Sequence, residues 1–264
     1  MIDLSEFDFV DFGCSVGGSM KFAERAFAGG RAVGIDIDPS KVERTRAAGY
    51  EAVLADATDP HQFRGQARFS ILSHFLEHLP NYEAVARSVE TAIAISRDFV
   101  FVRQPWFDTD GELFRHGLKF YWSDWSGHPM PLTSLQMHRA IRKALDSGRI
   151  ARATIYGFTP VVDTDDECVI PVSAPLNSSK YDPALHEPKI NPAMKLDAFR
   201  ELVVVLAKRD QQLTETLLGR FPGIVTLHDE LSEGGSPPSQ EQSADVEDPA
   251  AQQALTGACS PDGP

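Results

Sequence analysis

The sequence predicts an α/β fold built on a mostly parallel sheet. Three observations predict it. Strand-like and helix-like segments alternate through the first 105 residues, glycine or acid follows the first three strand-like segments, and 264 residues suffice for one large domain. Alternation implies crossover connections, hence parallel strands whose carboxyl ends make the ligand-binding edge.

Phe7–Phe12 reads as a strand running into Gly13, and Ser19–Ala28 as a helix with Phe22, Ala26 and Phe27 on one side. Ala32–Ile37 is a strand ending in acids. Pro39–Ala48 is a helix opened by proline and stopped at Gly49. Glu51–Ala55 and Arg68–Ser73 are strands, Asn81–Ile95 a long helix, and Asp98–Val102 a strand. Residues 106–132 break the rhythm and hold all three tryptophans. Thr133–Ser147 follows as a helix capped by Thr133 or Ser134. A strand lies within Arg149–Val162, an irregular stretch with five prolines runs from Asp163 to Lys195, Phe199–Ala207 is an apolar strand, and Asp210–Leu218 a final helix.

Apolar residues at 42% and charged residues at 24% are ordinary globular usage, which excludes collagen, coiled coil and global disorder. No apolar run is long enough to span a bilayer, and the first residues carry no secretory pattern. Cys14, Cys168 and Cys259 are widely spaced, which fits a reducing cytoplasm. Eight acids and no Lys or Arg lie from Asp229 onward, so residues 1–228 carry only −5 of the net −13. That division gives a domain over 1–228, with acceptor-side insertions at 106–132 and 163–195, and an acidic disordered tail over 229–264. Neither part has the clustered Lys and Arg of a nucleic-acid or anionic-membrane binder.

Four motifs follow the strands. Gly13, Gly17 and Gly18 mark a tight turn into a helix N-terminus. Asp36 ends the second strand about twenty residues later, at the spacing of an acid that accepts ribose hydroxyls. Asp56 follows the third strand, and SHFLEHLP, Ser73 to Pro80, the fourth. His74, Glu77 and His78 also spell H-x-x-E-H, a zinc-protease pattern. That pattern belongs inside a helix, whereas here it straddles a strand-to-helix loop, where Glu77 and His78 are read as setting the helix start.

In this order and spacing, the motifs resemble the class I S-adenosylmethionine-dependent methyltransferases, and the stretch FYWSDWSGHP, Phe120 to Pro129, resembles a segment of the saccharide O-methyltransferases of bacterial polysaccharide pathways. The resemblance covers residues 7–105 and, more loosely, the sheet to Lys208. It implies a Rossmann-like seven-stranded sheet of order 3-2-1-4-5-7-6, the last strand antiparallel, with helices on both faces and an inserted aromatic-rich lid. It implies S-adenosyl-L-methionine held by Gly13, Ser15, Gly17, Asp36, Ile37, Asp56, Ala57, Ser73 and His74. Ser15 departs from the pattern by replacing its middle glycine.

The acceptor side falls in the insertion. Its aromatic, acidic and histidine content suits a saccharide, with Trp106, Asp108, Tyr121, Trp122 and Trp125 as the binding wall. An alcohol acceptor needs help with its proton. His128, between Gly127 and Pro129, is the preferred base, with Asp124 to orient it or share a metal and His116 as second candidate. A divalent metal such as magnesium, held by Asp and His residues of this segment, is a further expectation, although no ligand spacing compels one. The expected partners are a small saccharide and a second copy of the chain, with neither nucleic acid nor membrane. Rival readings remain open: methylation of another small metabolite at oxygen or nitrogen, a nicotinamide-dependent oxidoreductase, and a non-enzymatic cofactor-binding protein. The spacing Gly13-x-x-x-Gly17-Gly18 is not the dinucleotide pattern G-x-G-x-x-G, which disfavours the oxidoreductase.

Overall fold

The computed structural model describes residues 1–189, 193–209, 213–219 and 221–232. Eight strands form the central sheet: β1 (Phe9–Phe12), β2 (Ala32–Asp36), β3 (Glu51–Leu54), β4 (Ala67–Ser73), β5 (Ser96–Pro105), β6 (Arg152–Asp163), β7 (Lys195–Ala207) and β8 (Ile224–Leu231). Their order across the sheet is 3-2-1-4-5-7-6-8. Strands β1 to β5 pair in parallel, and β7 runs antiparallel between β5 and β6. The helices are α1 (Gly18–Phe27), α2 (Pro39–Ala47), α3 (Tyr82–Ile95), α4 (Asp110–Arg115), α5 (Ser134–Asp146) and α6 (Leu213–Leu218).

The period of two along each buried strand divides successive side chains between two cores. Val10, Phe12, Leu72, Val100, Val102 and Val204 enter the core under α3 and α5. Phe9, Phe69, Ile71, Phe99, Phe101 and Val205 enter the one under α1. In that second core the rings of Phe9, Phe69 and Phe99, in register on β1, β4 and β5, stack at 5.0 and 4.6 Å between centroids. Helix starts follow local chemistry. Asp38 accepts from the Ser40 N–H ahead of Pro39, Asn81 from Ala84, and Thr133 closes a capping box with Gln136.

The segment 106–132, where the alternation breaks off, carries α4 and a short strand, Leu118–Phe120, paired antiparallel with Val169–Pro171. One sequence expectation is corrected. The tail does not begin at 229, because β8 extends to Leu231 along β6. Arg152 explains the difference. It is 8% exposed and donates through Nε and Nη2 to both carboxylate oxygens of Asp229, which makes an acidic residue part of the sheet edge. Residues 233–264 of the expected tail lie outside the described residues.

No helix among the described residues is long and apolar enough to cross a membrane.

Candidate active site

The carboxyl ends of β1 to β5 converge where the order reverses, between β1 and β4. Gly13 leaves β1 at φ +70°, and a Cβ there would stand 2.4 Å from Cδ2 of Phe75. Gly17 has φ +84°, and a Cβ there would meet Tyr50 at 2.8 Å. Neither position accepts a side chain without displacing a ring. Ser15 adopts a left-handed φ of 48°, a conformation that favours glycine. Its N–H donates to Asp36 Oδ2 at 3.4 Å and its carbonyl accepts from Thr45 Oγ1 at 3.0 Å, which anchors the strained residue. Beneath the turn, Asp11 is fully buried, with Oδ2 accepting from Ser19 Oγ and Oδ1 without a partner among the described residues. Burial pushes its carboxyl up to about 7.

Asp36 is 8% exposed at the end of β2, and its Oδ1 accepts from the Asp38 N–H. Ile37 beside it is 74% exposed, an apolar side chain standing free next to the acid. Asp56 Oδ1 accepts from the N–H and Oγ1 of Thr58, which fixes the carboxylate after β3, with Ala57 between them. A backbone cradle closed to side chains, a buried acid with spare lone pairs and an exposed aliphatic surface fit S-adenosylmethionine. Gly13, Ser15, Gly17, Asp36, Ile37, Asp56 and Ala57 are the residues that would hold it, and Ser73 ends β4 on the same edge.

His74 follows β4 at φ 50°, its Nε2 donates to Glu201 at 2.9 Å, and its Nδ1 lies 3.4 Å from Glu77. Burial opposes its charge, but the carboxylates of Glu201 and Glu77 override burial and hold His74 up to about 10. Its ring thus joins an ion network with both carboxylates. Glu201 also accepts from Arg103 Nε at 2.7 Å. Burial raises its carboxyl, and Arg103 and His74 bring it down to about 2.

Phe75, the ring packed on Gly13, follows His74 and leads into a one-turn helix, Leu76–His78. The loop 125–130 docks there: the Met130 N–H donates to the Glu77 carbonyl at 3.2 Å, and His78 Nδ1 donates to the Gly127 carbonyl at 2.6 Å. His128 thus reaches His78, with ring centroids 4.9 Å apart. Its Nδ1 donates to the Trp122 carbonyl at 2.9 Å, and burial lowers its pKa. One ligand atom each of Glu77, His78 and His128 lies within 4.8 Å of the others.

Several acceptor-side expectations need correction. Asp124 accepts from Lys119 at 2.6 Å and does not orient His128, a task the Trp122 carbonyl performs. His116 caps the C-terminus of α4. Trp106 and Trp122 are 6% and 5% exposed and spend their indole N–H groups on Thr109 Oγ1 and the Trp106 carbonyl, so they pack the lid without lining it. Asp108 accepts from the N–H and hydroxyl of Ser134 at the start of α5, a capping role. Tyr121 packs partly buried against the core. Trp125 remains at the site, 6.4 Å from the His128 ring. Sequence reasoning missed Arg103 and Glu201, which face each other from neighbouring strands, and preferred a helix-start role for Glu77 and His78 over chemistry.

Residues 10–94 match the family model described as a methyltransferase domain. Among solved structures, the partner of the Trm112 methyltransferase activator in a Haloferax volcanii complex is 11% identical with a TM-score of 0.50, over 79% of this chain and 85% of that one. A SAM-dependent methyltransferase from Archaeoglobus fulgidus is 13% identical with a TM-score of 0.49, over 78% and 88%. An O-methyltransferase family protein from Burkholderia thailandensis is 11% identical with a TM-score of 0.48, over 77% and 51%. No curated protein matches. Residues 10–94 are thus similar to a methyltransferase domain, and they lie on the Rossmann-like sheet described above.

Proposed function

We propose that the chain transfers a methyl group from S-adenosylmethionine to a hydroxyl of a saccharide. The cofactor supplies an electrophilic methyl on a sulfonium. Asp36 binds the ribose hydroxyls, Ile37 covers the adenine, Asp56 and Ala57 meet its edge, and the backbone of Gly13–Gly17 holds the methionine end. The acceptor oxygen must be held in line with the methyl and must lose its proton as the new bond forms. The observation that carries this reading is the corner of Glu77, His78 and His128 beside Trp125, next to the ring that closes the glycine turn. It joins proton-handling groups to an indole face, against which the C–H face of a sugar packs. An amine acceptor manages with less such help than an alcohol, so the corner favours oxygen over nitrogen.

The test offers labelled S-adenosylmethionine with mono- and oligosaccharides, amines and phenols, and follows the label by mass spectrometry. A methylated sugar, with its position given by fragmentation, is expected. Label on amines or phenols and on no sugar would overturn the acceptor while leaving the cofactor assignment.

A further inference from the structure

We propose that Glu77, His78 and His128 form a binding site for a divalent transition-metal ion, zinc by its donor set. Three observations support it. The Glu77 carboxylate is fully buried; His74 Nδ1 stands 3.4 Å from Oε1, and Oε2 has no hydrogen-bond partner among the described residues. A buried carboxylate oxygen lacking a donor is rare in native proteins and calls for an unseen partner. Next, both histidines bond backbone carbonyls through Nδ1: His78 to Gly127 and His128 to Trp122. A carbonyl only accepts, so Nδ1 carries the proton, and the neutral ring keeps its lone pair on Nε2. Metal-ligating histidines are oriented in this manner. Lastly, one ligand atom each of Glu77, His78 and His128 lies inside 4.8 Å of the others. Zinc bonds of about 2.0–2.2 Å bring such atoms within roughly 3–4 Å, a distance that side-chain rotation covers.

Two imidazoles and one carboxylate suit zinc, and also manganese or iron, whereas magnesium takes oxygen ligands and keeps its waters. Three protein ligands leave a coordination position open, as in catalytic zinc sites. On the methyl-transfer reading, which gives the ion its role but not its binding, that position takes the acceptor hydroxyl and makes it more acidic. The oxygen–methyl bond then forms as the sulfur–methyl bond breaks, the electron pair stays on sulfur, and the hydroxyl proton leaves to water. A second cluster, His138, His228 and Glu230, is a built-in control. There both Nε2 atoms already lie on Glu230 Oε2, at 2.7 and 3.2 Å, so its groups satisfy one another.

The experiment strips the full-length chain with chelator and titrates it with zinc chloride or magnesium chloride by calorimetry. Cobalt(II) loading, read by visible absorption, reports ligand geometry. One equivalent of zinc is expected in the wild type and in His228→Ala, with magnesium much weaker. His78→Ala, at an exposed position, and Glu77→Gln should each weaken zinc by about tenfold or more. S-adenosylhomocysteine affinity, measured in parallel, should be unchanged in His78→Ala. Absence of zinc uptake, or uptake lost in His228→Ala and kept in His78→Ala, overturns the site; His128 Nε2 would then take the proton itself. Wild type that takes up zinc but ignores S-adenosylhomocysteine would keep the metal site and sink the methyl-transfer reading.

Discussion

His74 and Glu201, 127 positions apart in the sequence, meet at 2.9 Å through imidazole Nε2 and one carboxylate oxygen. The other oxygen of Glu201 takes Arg103. One buried carboxylate therefore joins the loop after β4 to β5 and β7. Glu201→Ala should leave Arg103, itself 6% exposed, buried without its anion. Such a deletion costs about 3–5 kcal/mol, whereas Glu201→Gln keeps an acceptor and should cost less. Denaturant unfolding at neutral pH checks this. Equal stability of wild type and Glu201→Ala would mean that the network contributes nothing to the fold.

Asp36→Ala should weaken S-adenosylhomocysteine about 10- to 100-fold, the loss expected when hydrogen bonds to a charged acceptor are removed. The same change frees the Asp38 N–H and loosens Ser15, so calorimetry should be paired with a melting curve. Unchanged affinity at unchanged stability would place the ribose elsewhere.

Asp11 gives the protein a pH dependence. Its buried carboxyl titrates at about 7 in the folded chain against 3.8 ordinarily, so between those values the native state holds a proton that the unfolded chain has released. Stability from this group is therefore present below about pH 4 and is lost as pH rises to about 7, on the order of 4 kcal/mol in full. Asp11→Asn stays neutral. Its melting temperature should exceed that of wild type at pH 8, and the difference should shrink or reverse at pH 5. A constant offset at both pH values would show that Asp11 does not titrate in this range.

The cofactor half of the site was legible because its residues are local. Glycine turns, strand-end acids and Pro or Asn caps depend on neighbours a few positions away, and Asp36 and Asp56 stand where their motifs place them. The acceptor half was less legible because its bonds are long-range. Arg103 and Glu201 are 98 positions apart, and only the antiparallel insertion of β7 beside β5 brings them together. Trp106 and Trp122 looked like a binding wall because aromatic content does not reveal burial; their indole N–H groups found partners inside the lid. Strand β8 was hidden by its acids, since Asp229 reads as tail until Arg152, 77 positions earlier, is opposite it.

The glycine turn offers a final comparison, between two glycines five positions apart. Gly13 combines φ of +70° with a prospective Cβ 2.4 Å from Phe75, and Gly18, the first residue of α1, has open space within 4 Å. Gly13→Ala should cost about 1–2 kcal/mol in backbone strain alone, or roughly 2–8 °C in Tm. Because Phe75 must also move, and with it the turn that carries Glu77, cofactor affinity and turnover should fall together. Gly18→Ala should leave Tm unchanged or raise it, since alanine is favoured over glycine by up to about 1 kcal/mol in a helix. Melting curves and S-adenosylhomocysteine calorimetry on the two variants separate the cases. A harmless Gly13→Ala would mean that the left-handed turn and its contact with Phe75 do not shape the cofactor site.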